Sequence, residues 1–312
     1  MNQATIGRWL RRIMFSILFT IFILLFVVLP IGGSFLVTNS RFRFPERGPK
    51  NPEALGLSVT PVEFTTSDGI RLRGWWTPGD PGMPVIIFVH GMNRSRLELL
   101  ERAAESNRRG YGVVLFDLRN HGESEKAYTT LGIHESLDIC AAQQLVNERA
   151  PGRPQLLWGV SMGASSAILA AKRCPGRFAA VVSDSSFLSF RETIGHHLQL
   201  FFHLPAFPFS NLIIAIAEFR AGFDADDGDV EAAVGEIETP ILFIAGGADR
   251  RMPPALAERL RNASHSPLSE LLVVPGARHG EAFATDHGKY LDAVYRFLEK
   301  VRKNTPGVWT FR

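Results

Sequence analysis

Cysteine is scarce in this 312-residue chain, which contains only Cys140 and Cys174. Both fall within or at the end of helix-like segments, and a single pair does not define a disulfide framework. We therefore expect two buried free thiols, the usual state of isolated cysteines, with a disulfide between them as the open alternative. Zinc spacing is also missing, because His196-His197 and His203 have no carboxylate placed to complete a site. The sequence thus predicts no metal and no cofactor.

The net charge is also small, +3 at pH 7, and the excess of basic residues is confined to the N-terminal part of the chain. Residues 1–50 hold seven Lys or Arg against a single acid, Glu46, whereas the remaining 262 residues hold 27 basic and 30 acidic side chains. A nucleic-acid-binding domain needs a basic surface, so this balance excludes nucleic acid as a partner of the globular part. A charged fraction of 21% with 46% hydrophobic residues indicates a globular domain with an ample core.

Charge is missing altogether from residues 13–31, nineteen residues that read IMFSILFTIFILLFVVLPI. As a helix this run spans about 28 Å, close to the hydrocarbon thickness of a bilayer. No small-residue cleavage signature follows it closely, so we predict a retained transmembrane signal anchor with the lipid bilayer as its partner. Arg8, Arg11 and Arg12 precede the run, and the positive-inside rule then favours a single-pass protein with an extracytoplasmic globular domain.

Composition divides the chain into five segments. We expect a basic N-terminal flank over residues 1–12, the anchor over 13–31, a juxtamembrane linker over 32–58, a globular domain over 59–303 and a C-terminal tail over 304–312. The linker assignment depends on glycine, proline and arginine, which interrupt regular structure.

Hydrophobic patterning in the globular domain predicts an α/β fold. Two alternating segments around Ser67-Asp68-Gly69 predict a hairpin, and solid apolar runs separated by helical patterns follow them. The predicted strands cover residues 59–64, 70–76, 85–89, 111–116, 155–158, 178–182, 241–245 and 271–274. This alternation indicates a mostly parallel central sheet flanked by helices. Residues 185–239 interrupt it with eight phenylalanines, and a segment in that place predicts an inserted helical cap over a site.

The segment Gly159-Val160-Ser161-Met162-Gly163 reads G-x-S-x-G between an apolar run and a small-residue helical run. A serine on so tight a strand-to-helix turn projects its hydroxyl from the top of the sheet, and the glycines permit close approach of the backbone. Ser161 is therefore the candidate nucleophile, and the alternative interpretation is an ordinary serine in a glycine-flanked turn.

A serine nucleophile needs a base and an orienting acid, and the chain offers both in the order Ser, Asp, His. His279 lies in the loop after the strand at 271–274, and Asp249 lies in the loop after the strand at 241–245. Loops at strand ends bring such side chains over the top of the sheet, so we predict His279 as the base and Asp249 as the acid. Asp184, after the preceding strand, is the competing acid.

The oxyanion that develops during acyl transfer needs preorganised N–H donors. We predict the backbone N–H of Met162, directly after the nucleophile, as one donor. The second donor is predicted to be Met92, in the loop His90-Gly91-Met92-Asn93 that follows a buried strand.

These motifs resemble those of the α/β-hydrolase superfamily, and the chain is similar in style to its membrane-anchored Bem46/ABHD13-type branch. The resembling segments are HGMN at 90–93, DLRNHGES at 117–124, GVSMG at 159–163, GGADRRMP at 246–253 and RHG at 278–280. They span most of residues 60–303.

The resemblance implies an α/β-hydrolase fold, a Ser161-His279-Asp249 triad and a structural role for His121. Asn93 stands where many lipases have a run of glycines, which argues against a true lipase.

The leading hypothesis is a membrane-anchored serine hydrolase that cleaves a carboxylic ester, or a related acyl bond, of a small-molecule or lipid-like substrate through an acyl-enzyme. The same triad would serve an acyltransferase, a thioesterase or a serine peptidase, and the sequence does not separate these. A hypothesis of another class is a non-catalytic, membrane-tethered interaction module, because a fold alone does not fix a function.

Overall fold

The computed structural model describes residues 3–40, 48–174 and 178–305. Its strands are β1 Thr60–Thr65, β2 Arg71–Thr77, β3 Val85–Val89, β4 Gly112–Phe116, β5 Gln155–Val160, β6 Ala180–Asp184, β7 Ile241–Gly246 and β8 Glu270–Val274. They form one sheet in the order β1-β2-β4-β3-β5-β6-β7-β8. Strand β2 pairs antiparallel with β1 and β4, and all other neighbours run parallel. The prediction of a mostly parallel sheet is confirmed.

The described residues form eleven α-helices, and those that follow β3 in the chain supply the cover on both faces of this sheet. The eleven helices are α1 Gln3–Ile23, α2 Leu29–Thr38, α3 Leu100–Arg108, α4 Glu135–Arg149, α5 Met162–Arg173, α6 Phe190–Phe202, α7 Phe209–Ala221, α8 Val230–Glu236, α9 Pro254–Ala263, α10 Ala282–Thr285 and α11 His287–Asn304. One buried apolar cluster unites α4, α5, α8 and α9 with the inserted helices, and a second cluster lies under α3 and α11. The inner strands β3 and β5 are buried along their whole length, as expected of strands covered on both faces.

The N-terminal helix extends beyond the predicted span. Helix α1 continues through a π-helical segment, Leu24–Val28, into α2, and within the described residues this stretch is long and apolar enough to cross a membrane over Ile6–Thr38. Such a helix has the length and composition of a membrane anchor or a signal sequence.

Residues 32–38 are therefore helical, and their prediction as part of an irregular linker is wrong. Gly33 packs against α7, where a Cβ at that position would lie 2.7 Å from Ile213 Cδ1. The glycine thus permits close helix packing and does not form a turn. Parts of the predicted flank, linker and tail, residues 1–2, 41–47 and 306–312, lie outside the described residues.

Cys140 and Cys174 form a disulfide, so the expectation of two free thiols is wrong. Helices α4 and α5 pack side by side on one face of the sheet, and the two Cα atoms lie 5.2 Å apart. That separation is within the range that a disulfide bridges. The sequence alone could not reveal this proximity, because the two cysteines are 34 residues apart.

The inserted segment contains an antiparallel helical hairpin, α6 and α7, which we call the cap hairpin (residues 190–221). The first turn of α6 lies beside the last turn of α7, where Arg191 Nη2 donates to Glu218 Oε1 at 3.3 Å. The connecting turn, residues 203–208, is therefore at the opposite end of the hairpin. Helix α8 follows and packs between α5 and α9.

Candidate active site

The turn between β5 and α5 holds Ser161 in an unusual backbone conformation, with φ 54° and ψ −121°. An L-residue rarely adopts a positive φ, so the surrounding structure must enforce it. The Ser161 N–H donates to the Asp184 carbonyl at 2.7 Å, and the Ser161 carbonyl accepts from the N–H groups of Ala164 and Ser165 at 2.9 and 3.1 Å. These bonds fix the serine at the top of the sheet, as its motif predicts.

The two flanking glycines are required by packing. A Cβ on Gly159 would lie 2.3 Å from the Gly163 carbonyl oxygen, and a Cβ on Gly163 would lie 2.1 Å from the Val89 carbonyl oxygen. Both distances are far below van der Waals contact, so the backbones of β3, β5 and α5 approach closely only because these side chains are absent. The motif is therefore a packing requirement as well as a sequence signature.

The side chains predicted as nucleophile, base and acid lie in one line of hydrogen bonds. Ser161 Oγ is 2.8 Å from His279 Nε2, and His279 Nδ1 is 2.7 Å from Asp249 Oδ2. If Nδ1 carries the proton, it donates to the carboxylate, and Nε2 is left to accept the serine proton. The His279 side chain keeps 12% of its surface exposed, whereas the Asp249 side chain is fully buried.

The loop after β7 prepares Asp249 for this contact. Its second oxygen, Oδ1, accepts from the backbone N–H groups of Arg251 and Met252 at 2.8 and 2.9 Å. Three donors therefore fix the orientation of the carboxylate. The backbone N–H groups of the following residues thus hold Asp249 in place.

Asp184, the competing acid, has other partners. It ends β6 in full burial, accepts from Tyr290 Oη at 3.0 Å and from Ser185 Oγ at 2.9 Å. Burial raises the pKa of this carboxyl, and the charge of Arg102 opposes that shift. Asp249, not Asp184, makes the hydrogen bond to His279 Nδ1.

The two residues predicted to donate to the oxyanion lie in segments next to Ser161. Met162 begins α5, and the first N–H groups of a helix have no partner within the helix. Met92 is half-buried in a turn closed by the Arg94 N–H and the Gly91 carbonyl. A Cβ on Gly91 would lie 3.5 Å from Ser161 Cβ, so this loop runs directly beside the nucleophile.

Two buried histidines hold the loop that carries Met92. His121 Nε2 accepts from the Asn93 N–H at 3.1 Å, and its Nδ1 contacts the Arg119 carbonyl at 2.7 Å. His90 Nε2 accepts from the Leu118 N–H at 3.0 Å, and its ring lies edge-on to that of His121. Burial, assisted by His121, lowers the pKa of His90 well below its ordinary value, so the ring is neutral and can accept this bond. Both rings therefore bind backbone groups of the surrounding loops, which is a structural role.

The cap hairpin also reaches the site. His196 Nε2 lies 3.0 Å from the Arg250 carbonyl in the loop after β7 that carries Asp249, which we call the acid loop. Burial, assisted by the neighbouring Arg251, lowers the pKa of His197 to about 3, and His279 also contributes to this shift. His197 Nε2 is buried without a hydrogen-bond partner in the part of the chain that the structure describes.

Comparisons with known proteins identify the family of this chain. The family model described as serine aminopeptidase, S33, matches residues 82–217. The Mycobacterium tuberculosis protein Rv2307c is 32% identical over 264 residues, which cover 82% of this chain and 85% of that protein. The esterase Pf2001 of Pyrococcus furiosus superposes with a TM-score of 0.67 at 26% identity, covering 83% of this chain and 97% of that one. The chain belongs to the α/β-hydrolase superfamily.

One further relative matches a larger share of the chain. YfhR of Escherichia coli K12 is 26% identical over 281 residues, which are 88% of this α/β-hydrolase and 90% of that protein. Membership of the superfamily supports a hydrolase in general terms.

Sequence reasoning missed two residues at this site. Glu98 Oε2 accepts from the Gly91 N–H at 2.6 Å and so fixes the loop beside the nucleophile, but its place in a helical pattern gave no signal. His197 was considered only as a metal ligand, although its place in the cap insertion could have suggested a position over the site. Among the described residues, no group of three His, Cys, Asp or Glu is arranged to hold a metal ion.

Proposed function

We propose that this α/β-hydrolase is a membrane-anchored serine hydrolase that cleaves carboxylic esters through an acyl-enzyme. The observation that carries the proposal is the continuous bond path from Ser161 Oγ through His279 to Asp249, with distances of 2.8 and 2.7 Å. Such a path, together with a positive φ at the serine, is the arrangement that acyl transfer requires.

The first half of the reaction forms the acyl-enzyme. Ser161 Oγ attacks the acyl carbon as His279 Nε2 takes its proton, and the carbonyl oxygen becomes an oxyanion bound by the N–H groups of Met92 and Met162. Asp249 stabilises the resulting imidazolium. The tetrahedral intermediate then collapses, the ester C–O bond breaks, and His279 returns its proton to the leaving alcohol.

The second half releases the acid. A water molecule gives a proton to His279 Nε2 and attacks the acyl carbon. The bond to Ser161 Oγ breaks, the serine regains its proton from His279, and a carboxylic acid leaves.

A peptidase on the same triad is the alternative that the description of the matching family model favours. An aminopeptidase needs a carboxylate to receive the free α-amino group of its substrate. The cap segment from 193 to 217 contains no Asp or Glu. Its groups near the triad are His196 and His197, which lie beside Arg251 of the loop that carries Asp249. This composition favours an ester over an N-terminal amine as the substrate.

The membrane placement is supported by two features. The helix over Ile6–Thr38 can span a bilayer, and Arg8, Arg11 and Arg12, which precede its charge-free run, favour a cytoplasmic N-terminus. The Cys140–Cys174 disulfide suits an oxidising compartment, which is where an extracytoplasmic domain would lie.

A fluorophosphonate probe tests the nucleophile. We expect labelling of the wild type, none of Ser161→Ala, and normal labelling of the control Ser264→Ala. Equal labelling of Ser161→Ala would refute the assignment, and full biological function of that variant would instead support a non-catalytic module. Turnover of matched esters, thioesters and aminoacyl amides by the wild type then identifies the bond cleaved.

A further inference from the structure

The cap hairpin packs against the N-terminal helix along a defined line of contacts. Phe26, inside the charge-free run, lies with its ring 5.6 Å from that of Phe209, the first residue of α7. Further along, Gly33 lies against Ile213. Helix α7 therefore runs parallel to the N-terminal helix, and its beginning is level with Phe26.

The other end of α7 is held by a polar contact. Arg220 Nη1 donates to Ser34 Oγ at 2.8 Å and to Thr38 Oγ1 at 3.1 Å, and its guanidinium lies 3.5 Å from the centre of the Phe35 ring. These contacts lie at the C-terminal end of the N-terminal helix, beyond the charge-free run. Together with Phe26 they fix the depth of the hairpin relative to that helix.

Charge is segregated along the hairpin. Residues 193–217 contain no Asp, Glu, Lys or Arg, whereas the end beside Arg220 carries Arg191, Glu218 and Asp226. The uncharged end exposes large aromatic side chains, with Phe201 and Phe202 each 55% exposed and Phe207 77% exposed. Phenylalanines exposed together in this way are typical of a surface that contacts another apolar phase.

The position of this apolar end agrees with its composition. With a rise of about 1.5 Å per residue, Phe26 lies roughly 7 Å inside the end of the charge-free run at Ile31. The turn at 203–208 precedes Phe209, which is level with Phe26, so it reaches a similar depth. Amphipathic segments that bind membranes bury their apolar side to about 5–10 Å.

We propose that the tip of the cap hairpin, residues 201–207, inserts into the lipid interface beside the N-terminal helix and forms a second membrane contact. This inference depends on the proposed membrane anchoring. Because α6 also contacts the acid loop through His196, the tip lies only roughly one and a half helical turns from the site. An acyl substrate dissolved in the bilayer would then reach Ser161 from the membrane side.

The insertion can be tested with fluorophores attached to single added cysteines in the full chain, reconstituted in phosphatidylcholine vesicles. The native cysteines are joined in a disulfide and do not compete for the label. The positions are Phe207→Cys at the tip, Phe22→Cys inside the N-terminal helix, and Lys303→Cys on α11, which packs on the opposite face of the sheet. We expect the labels at 207 and 22 to be quenched by doxyl lipids and protected from iodide, and the label at 303 to show the reverse.

Three results would overturn the proposal. A label at 207 that behaves like the label at 303, with the label at 22 in lipid, would refute insertion of the tip while leaving the anchor intact. A label at 22 that iodide reaches would refute the anchor and the insertion together. Protection of position 207 from iodide without quenching by doxyl lipid would indicate contact with a second copy of the chain.

The route of the substrate is tested by activity. The triple variant Phe201→Ser, Phe202→Ser, Phe207→Ser should hydrolyse a vesicle-embedded ester about tenfold more slowly, as weakened interfacial binding predicts, and a water-soluble short-chain ester at the wild-type rate. Phe219→Ser is the matched control, because Phe219 is 90% exposed on α7 but lies at the charged end of the hairpin. Equal rates of the triple variant and the control on the embedded ester would contradict entry from the membrane. Wild type that is inactive on both esters would instead refute the proposed hydrolase function.

Discussion

At the scale of single residues, the predicted acid Asp249 is distinguished from the competing acid Asp184 by its hydrogen-bond partners more than by its position in the sequence. Asp184 is the last residue of the buried strand β6, and Asp249 lies in the loop after the buried strand β7. Both are therefore at the top of the sheet. Asp249 presents one oxygen to His279 and gives the other to two backbone N–H groups, whereas both Asp184 oxygens are taken by the hydroxyls of Ser185 and Tyr290. Only Asp249 is therefore placed to orient the base.

This distinction leads to a kinetic prediction. We expect Asp249→Asn to lower kcat about 10³- to 10⁴-fold, because the amide no longer stabilises the imidazolium or selects its tautomer. Asp184→Asn should mainly destabilise the fold, since it disturbs a buried hydroxyl network, and should keep most of its kcat at a temperature where it is folded. Steady-state kinetics and thermal unfolding of both variants provide the measurement. A larger loss of kcat in Asp184→Asn would reverse the assignment.

His197 predicts a pH dependence of stability. Its pKa is lowered from 6.5 to about 3 by burial and by Arg251, so below pH 6.5 the unfolded chain binds a proton that the folded chain does not. Stability therefore falls as the pH is lowered from about 6.5 towards 3. His197→Gln should make this fall shallower without removing it, because the buried His90 acts in the same direction.

The matched control for this measurement is His265→Gln, on the exposed surface. The free energy of unfolding, measured by urea titration between pH 7 and pH 4, should decline as steeply in that control as in the wild type. An equally steep decline in His197→Gln would show that this side chain does not contribute.

At the scale of helices and strands, the disulfide joins α4 to the end of α5, the helix that begins directly after Ser161. Replacing both cysteines by serine should lower the free energy of unfolding by about 2–4 kcal/mol, because the unfolded chain regains the freedom of the closed loop. Denaturation with and without reductant measures this, and the reduced wild type should match the variant. Alkylation of both cysteines without reductant would contradict the bond.

The sequence predicted elements better than it predicted contacts between elements. The strands followed from apolar runs, and the place of Ser161 followed from Gly159 and Gly163, because these signals are local. Gly32 and Gly33 were interpreted as a break since glycine lowers helix propensity, whereas Gly33 provides room for Ile213 on a helix 180 residues away. Neither that contact nor the pairing of Cys140 with Cys174 leaves a local pattern, so both needed the structure.

At the scale of the whole molecule, Arg220 links the N-terminal helix to the cap that covers the site. It contacts Ser34, Phe35 and Thr38, and its guanidinium also lies over the ring of Tyr128. The Thr129 N–H donates to the Thr38 carbonyl at 3.0 Å, so the end of α2 is bound to the globular domain as well. The domain is therefore held in one orientation relative to the helix. If the helix anchors the protein as proposed, that orientation determines whether Ser161 faces the bilayer.

Arg220→Met tests this coupling, because methionine keeps an apolar stem and removes the hydrogen bonds. We expect its rate on a vesicle-embedded ester to fall about three- to tenfold, as for a lost coupling of about 1 kcal/mol, with an unchanged rate on a soluble ester. Arg302→Met, which loses an exposed ion pair with Glu299 on the same helix, α11, should leave both rates unchanged. A parallel loss on both esters in Arg220→Met would mean that Arg220 supports the fold of the site and not its orientation. Ser161, His279 and Asp249 lie on elements other than α7. A loss confined to the embedded ester would therefore indicate that the orientation of the domain limits turnover at the membrane.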